Sequence, residues 1–150
     1  MDMETFNFVD MDGVIANVSE GLQTSLGLPI VPPTDYNWCA DLVDWSLLNA
    51  GFWEGLPVYE DTLIEMQSLE NTIILTHCFS VDAIIGKRKW LDRYWPGIEM
   101  INLADKWLIA GPGRCLWDDY PVQIEQWNEA GGMGILIERA WNRGTAKVEK

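Results

Sequence analysis

Asp10 and Asp12 lie two residues apart in Asp10-Met11-Asp12-Gly13, directly after the run Thr5-Phe6-Asn7-Phe8-Val9. That run reads as a buried strand, and residues two apart at a strand's end can point to the same side. Two carboxylates delivered to one pocket repel each other at neutral pH, and a bound cation or a shared proton relieves the repulsion. One of the pair suits nucleophilic attack; the other suits general acid and then general base work. Gly13 lets the chain turn sharply away. Three later pieces carry matching chemistry: Thr76-His77, Lys106 and Asp118-Asp119.

A phosphate monoester is the electrophile that needs this set. Nucleophile and target are both anionic, so Mg²⁺ held between them neutralises charge and orients both. Asp10 would attack phosphorus and form an aspartyl-phosphate. Asp12 would protonate the leaving oxygen and then deprotonate the hydrolytic water, with its backbone carbonyl facing the metal. Asp118 and Asp119 would supply further metal ligands. Thr76 would hold a phosphoryl oxygen, and Lys106 would stabilise the charge there. His77, the only histidine, sits beside Thr76 and reads as a substrate contact. Lys87 reads equally as a phosphate or ribose contact and as a surface helix charge, and Arg88 and Lys89 are as evenly balanced between a role near an anion and a solvated face. A calcium loop starting at Asp10 would need Glu at its twelfth position, where Gly21 stands. A receiver domain would carry its acidic pair near the first strand and its phosphorylated aspartate later, the reverse of the order here.

The elements that must position these groups alternate. Strands are predicted at 5–10, 72–75, 98–101, 114–117 and 134–137. Helices are predicted at 14–26, 59–69, 81–95 and 122–130, with one or two short ones within 38–56. Pro29, Pro32 and Pro33 mark a loop over 28–37, and 142–150 reads as a polar tail. Alternating strands and helices imply a parallel sheet covered on both faces. Such sheets bind ligands beyond the carboxyl ends of their strands, where Asp10, Thr76 and Asp118 all fall. The long connection from about Ala16 to Glu70 is expected to be a small helical cap inserted after the first strand.

Composition narrows the partners. The 150-residue chain carries a formal net charge of −13. Residues 1–86 hold fourteen acids and no Lys or Arg. A surface of that sign argues against long nucleic acids, and a small anionic substrate would need local positive charge. No apolar run approaches a membrane span. The acidic start Met1-Asp2-Met3-Glu4 lacks a secretory leader's basic and apolar parts, so the expectation is a soluble, cytoplasmic protein. Cys39, Cys78 and Cys115 are an odd count without metal-ligand spacing and read as reduced, mostly buried thiols. Of the nine tryptophans, Trp90, Trp95, Trp107, Trp127 and Trp141 read as core.

Asp10-Met-Asp-Gly-Val, Thr76 at the end of an apolar strand, Lys106 and Asp118-Asp119 resemble, in that order, the four motifs of the haloacid dehalogenase-like hydrolase superfamily. Gly51-Phe52-Trp53, Leu75-Thr76, Lys87 with Trp90-Leu91, Asp105-Lys106 and Trp117-Asp118-Asp119 further resemble its 5′(3′)-deoxyribonucleotidases. The resemblance implies a Rossmann-like three-layer α/β sandwich, with a catalytic core of residues 1–15 and 71–150 and a helical cap of 16–70. It implies a Mg²⁺-dependent phosphatase of (deoxy)ribonucleoside monophosphates, with Phe52 and Trp53 stacking on the base. Trp38 and Trp45 are weaker candidates for that stacking. Three departures stand out: Asn17 where the family often has an acid, His77-Cys78 where a small hydroxyl residue and proline usually follow the threonine, and Trp117 where an aliphatic residue usually precedes the acidic pair. Gly111-Pro112-Gly113 also lengthens the path from Lys106 to Asp118. Alternatives are the same chemistry on another small phosphomonoester, such as a sugar phosphate, and a catalytically silent protein that binds phosphorylated ligands. A homodimer is left open.

Overall fold

The computed structural model describes residues 4–143. The polar tail expected from 142 onward therefore falls, beyond Arg143, outside the described residues. Five parallel strands form one sheet in the order β3-β2-β1-β4-β5. They are β1 (Phe6–Val9), β2 (Thr72–Thr76), β3 (Met100–Asn102), β4 (Arg114–Asp118) and β5 (Met133–Leu136). The helices are α1 (Val18–Leu26), α2 (Ala50–Glu54), α3 (Glu60–Gln67), α4 (Val81–Tyr94) and α5 (Pro121–Glu129), with short 3₁₀ turns at Trp45–Leu47 and Lys106–Ile109.

Alternation along the central strands makes the three layers. Phe8, Leu75 and Leu116 pack with Ile124 and Trp127 of α5 on one face. Val9 and Ile74 point the other way, into a larger cluster with Val18 and Leu22 of α1, Trp53 of α2, Leu63 and Met66 of α3, and Trp90 and Leu91 of α4. Strands buried on both faces need apolar residues in both registers, which is why Ile73-Ile74-Leu75 reads as a continuous run. The expected three-layer α/β sandwich with a parallel sheet and a helical insertion right after the first strand is what the chain forms.

Local chemistry moves two element boundaries. The helix expected from Val14 begins at Val18, because the Met11 carbonyl accepts from the backbone N–H groups of Val14, Ile15 and Ala16 and closes a tight turn first. Asn17 then caps the helix, its side-chain oxygen accepting from Glu20 N at 3.0 Å. The departure at Asn17 thus has a structural use. Gly27 ends α1 at φ +69°, a conformation that favours glycine. β3 lies at 100–102 rather than 98–101, since the Trp95–Ile98 turn occupies the earlier residues. The insertion closes on itself at a narrow neck: Asn17 N donates to Pro57 O at 2.7 Å, and Tyr59 N to Ile15 O at 2.8 Å.

α2 and α4 cross closely. A Cβ on Gly86 would collide with Ala50 O and Trp53 Cβ, so glycine permits the contact. Ser80 caps α4 through Ala83 N at 3.0 Å. Among the described residues no helix is long and apolar enough to cross a membrane.

Candidate active site

In a sheet of this order the chain leaves β1 toward β2 but leaves β3 for β4, on the other side of β1. The carboxyl ends of β1 and β4 therefore splay around a crevice. Asp10 follows β1, and Asp118 closes β4 with Asp119 next to it. All three are buried, and one carboxylate oxygen from each lies within 4.8 Å of the others. Lys106, on the 3₁₀ turn after β3, is 4% exposed and reaches back between two of them. Its Nζ donates to Asp10 Oδ1 and to Asp118 Oδ2, each at 2.9 Å. Asp118 Oδ1 accepts from Tyr120 N at 3.0 Å, so its second oxygen serves the turn into α5.

One ammonium cannot neutralise three buried carboxylates. Burial, followed by the charge of Asp118, outweighs Lys106 and pushes the Asp10 carboxyl up to about 7. Burial and the charges of Asp10 and Asp118 push Asp119 well above the carboxylate range, and the two side chains, Asp10 and Asp119, are close enough to share a proton. Burial alone would lower the Lys106 ammonium; Asp10 and Asp118 overcome that and hold it above its usual value. The donor set is all hard oxygen, with negative charge left over, which fits a divalent cation such as Mg²⁺.

A second cluster adjoins the first. Asp12 is paired through Oδ2 with Lys87 Nζ at 2.9 Å, and the same ammonium donates to Thr76 Oγ1 and to the His77 carbonyl, each at 3.0 Å. Lys87 is fully buried and lies 4.8 Å from the centroid of the Trp53 ring. The surface-charge reading of Lys87 therefore fails: helix α4 turns this residue inward beside Gly86. Asp12 Oδ1 is buried with no hydrogen-bond partner among the described residues. Arg88 and Lys89 point elsewhere on α4, toward Asp92 and Glu54 respectively. The His77 ring packs on Phe79 at 4.3 Å between centroids. Burial and the nearby Lys87 and Lys106 charges lower the imidazole's proton affinity.

The aromatic surface beside the acids holds the weaker stacking candidates, Trp38 and Trp45, and not Phe52 and Trp53. The cavity against Asp12, Gly13 and Asp119 is lined by Tyr36, Trp38, Trp45 and Trp141. Phe52 and Trp53 do not line it. Trp53 is wholly buried beneath Lys87, and Phe52 packs edge-on against it and faces a separate hollow with Gly21 and Leu56. The close α2–α4 crossing turns Trp53 into the core, so it has no free face for a base. Tyr36, carried by the proline-rich loop, stacks on Tyr120 with ring centroids 4.1 Å apart. Burial and the charges of Asp119, Asp10 and Asp118 raise its phenol. Trp141, read as core from sequence, is half-buried and donates to Asp119; Trp107 is 40% exposed and Trp95 is half-buried, whereas Trp90 and Trp127 are core.

Several supporting residues carry no sequence motif. Arg139 donates to the carbonyls of Gly13 and Val14 and to Thr62 Oγ1, and stacks over Tyr59. Asn142 holds the Asp119 carbonyl, and Asn102 accepts from Cys78 N at 2.8 Å. Trp117 donates to Asn7 Oδ1 at 3.0 Å across the β1–β4 pair, which gives the unusual residue before the acidic pair a partner. Arg139 and Asn142 follow β5, and the strand-end rule was the one available pointer to that segment. All three cysteines are free thiols.

No family model matches this chain, and no curated protein matches it. The parallel order, the helical insertion after β1 and the buried acidic cluster are consistent with the haloacid dehalogenase-like, Rossmann-type superfamily. The aspartate cluster supports a hydrolase-type active site in general.

Proposed function

We propose that this protein is a Mg²⁺-dependent phosphatase of the deoxyribonucleotidase type, releasing phosphate from (deoxy)ribonucleoside monophosphates through an aspartyl-phosphate on Asp10. The observation that carries the reading is the convergence of Asp10, Asp118 and Asp119 around Lys106 at the β1–β4 crevice.

Asp10, Asp118, Asp119 and the Asp12 backbone carbonyl would hold the cation, which supplies charge neutralisation and orients the phosphoryl group. Asp10 attacks phosphorus, and the bond from phosphorus to the leaving oxygen breaks. Asp12 would deliver a proton to that oxygen and later take one from the water that cleaves the acyl phosphate. Its unpartnered Oδ1 suits that exchange, while Lys87 fixes its orientation through Oδ2. Thr76 and Lys106 bind phosphoryl oxygens, and Lys87 and His77 flank them. The insertion expected over 16–70 would act as a cap over the core of 1–15 and 71–150; its neck lies where Ile15 and Asn17 meet Pro57 and Tyr59, which leaves α3, with Leu63 and Met66 packed beneath the sheet, on the core side of that neck.

The aromatic, largely apolar wall of Tyr36, Trp38, Trp45 and Trp141 favours a leaving group that carries a planar base over a bare sugar. Stacking is worth roughly 1–3 kcal/mol per base. The free thiols suit a reducing, cytoplasmic setting. A phosphate-release screen over nucleoside monophosphates and sugar phosphates, with and without Mg²⁺, tests the proposal. Mg²⁺-dependent release from mononucleotides is expected. Release from sugar phosphates alone would move the substrate, and release from neither would leave a phospho-ligand-binding protein.

A further inference from the structure

Trp141 belongs to none of the acidic motifs, yet its indole Nε1–H donates to Asp119 Oδ2 at 2.9 Å. That same oxygen backs onto Gly13, whose φ is +82° and where a Cβ would collide with it. The carboxylate is therefore wedged between a backbone surface and a donor. The chain beneath is pinned as well. Asn142, 2% exposed, donates to the Asp119 and Ile137 carbonyls at 2.8 and 2.9 Å and accepts from Arg139 N at 2.8 Å. Arg139 in turn ties the Gly13 and Val14 carbonyls to α3.

Ionised, as a metal ligand must be, Asp119 sits against two like charges, Asp10 and Asp118, which favour rotation of its carboxylate away from them. A donor fixed on one oxygen opposes that rotation and leaves the other oxygen to the cluster. We infer that Trp141 is a positioning residue that holds Asp119 in the orientation a divalent cation requires. This rests on the metal-binding reading above. Donors behind a metal ligand typically change metal affinity by about 10–100-fold.

The test is Mn²⁺ binding to the whole protein without substrate, followed by the loss of the free Mn²⁺ electron paramagnetic resonance signal. Trp141→Phe keeps an aromatic ring and removes the N–H. Its Mn²⁺ dissociation constant is expected to rise about tenfold, with the melting temperature in chelator close to wild type. Trp141→His, which retains a ring donor, is expected to recover part of the loss, and Trp141→Leu gives the same reading as the Phe variant should that variant not fold. Unchanged Mn²⁺ affinity in a folded variant lacking the N–H would overturn Trp141's role while leaving the metal site intact. A wild-type protein that takes up no Mn²⁺ would overturn the metal reading and this inference with it.

Discussion

Lys106 faces more negative charge than it can neutralise, and that imbalance sets the chemistry open to Asp10. The residue most exposed to test is Asp10 itself. Asp10→Asn removes the proposed nucleophile, and turnover is expected to fall by about 10⁴-fold or more, while mononucleotide binding persists in a filter or calorimetric assay. Asp12→Asn keeps Asp10 and the shape of the side chain, so the loss expected on the proposed acid–base role is about 10²–10⁴-fold, the range for such a group. Steady-state phosphate release separates the two, and a wild-type rate in Asp12→Asn would reassign that residue. At this scale the sequence was most legible where residue type and strand-end position coincide: Asp10, Thr76 and Asp118. It was least legible at Trp141 and Tyr36. A lone Trp or Tyr far along the chain carries no spacing that ties it to an acid.

Elements place these residues, and α2 against α4 is the tightest contact that does so. Gly86 admits Ala50 and Trp53, and Lys87, the next residue, is thereby set under Asp12. Gly86→Val would force the helices apart. We expect a loss of about 1–3 kcal/mol in denaturant unfolding, the usual range for overpacking, accompanied by reduced turnover because the Lys87–Asp12 pair moves. An unchanged unfolding midpoint would show that the crossing is looser than described. The same contact explains why Phe52 and Trp53 read as a base platform from sequence. Resemblance places them in the cap, but only the crossing angle of a five-residue helix decides that Trp53 faces inward. The late start of α1 is of the same kind: helical spacing from Val14 is genuine, yet the Met11 carbonyl captures the first three donors.

The whole molecule couples its acidic crevice to its stability. Asp10's carboxyl is raised from 3.8 to about 7, so between those pH values the native state binds a proton that the unfolded chain has released. The contribution is present at low pH and lost as pH rises through about 7. In chelator, the difference in melting temperature between wild type and Asp10→Asn should shift against wild type from pH 5.5 to pH 8. Millimolar Mg²⁺ at pH 8 should raise the wild-type melting temperature by mass action and raise that of Asp10→Asn, which keeps the other ligands, by less. Absence of any Mg²⁺ effect on wild type at pH 8 would contradict the cation reading. The parallel sheet, the insertion and the strand-end convergence were legible because alternating apolar runs and their polar termini are written locally, whereas the strand order β3-β2-β1-β4-β5 is set by tertiary pairing. The cavity wall was legible only at Trp38 and Trp45, the weaker stacking candidates, because it is assembled from a proline-rich loop, a 3₁₀ turn and the segment after β5, which only tertiary packing brings together.

The covalent step is the most direct test. Wild-type protein turning over a deoxyribonucleoside monophosphate with Mg²⁺ is quenched in acid, reduced with borohydride and digested for peptide mass spectrometry. An acyl phosphate on an aspartate is reduced to homoserine, so the account predicts homoserine at position 10 that requires both substrate and Mg²⁺. Phosphate release that proceeds with Asp10 unmodified, or with the label on another residue, would contradict it.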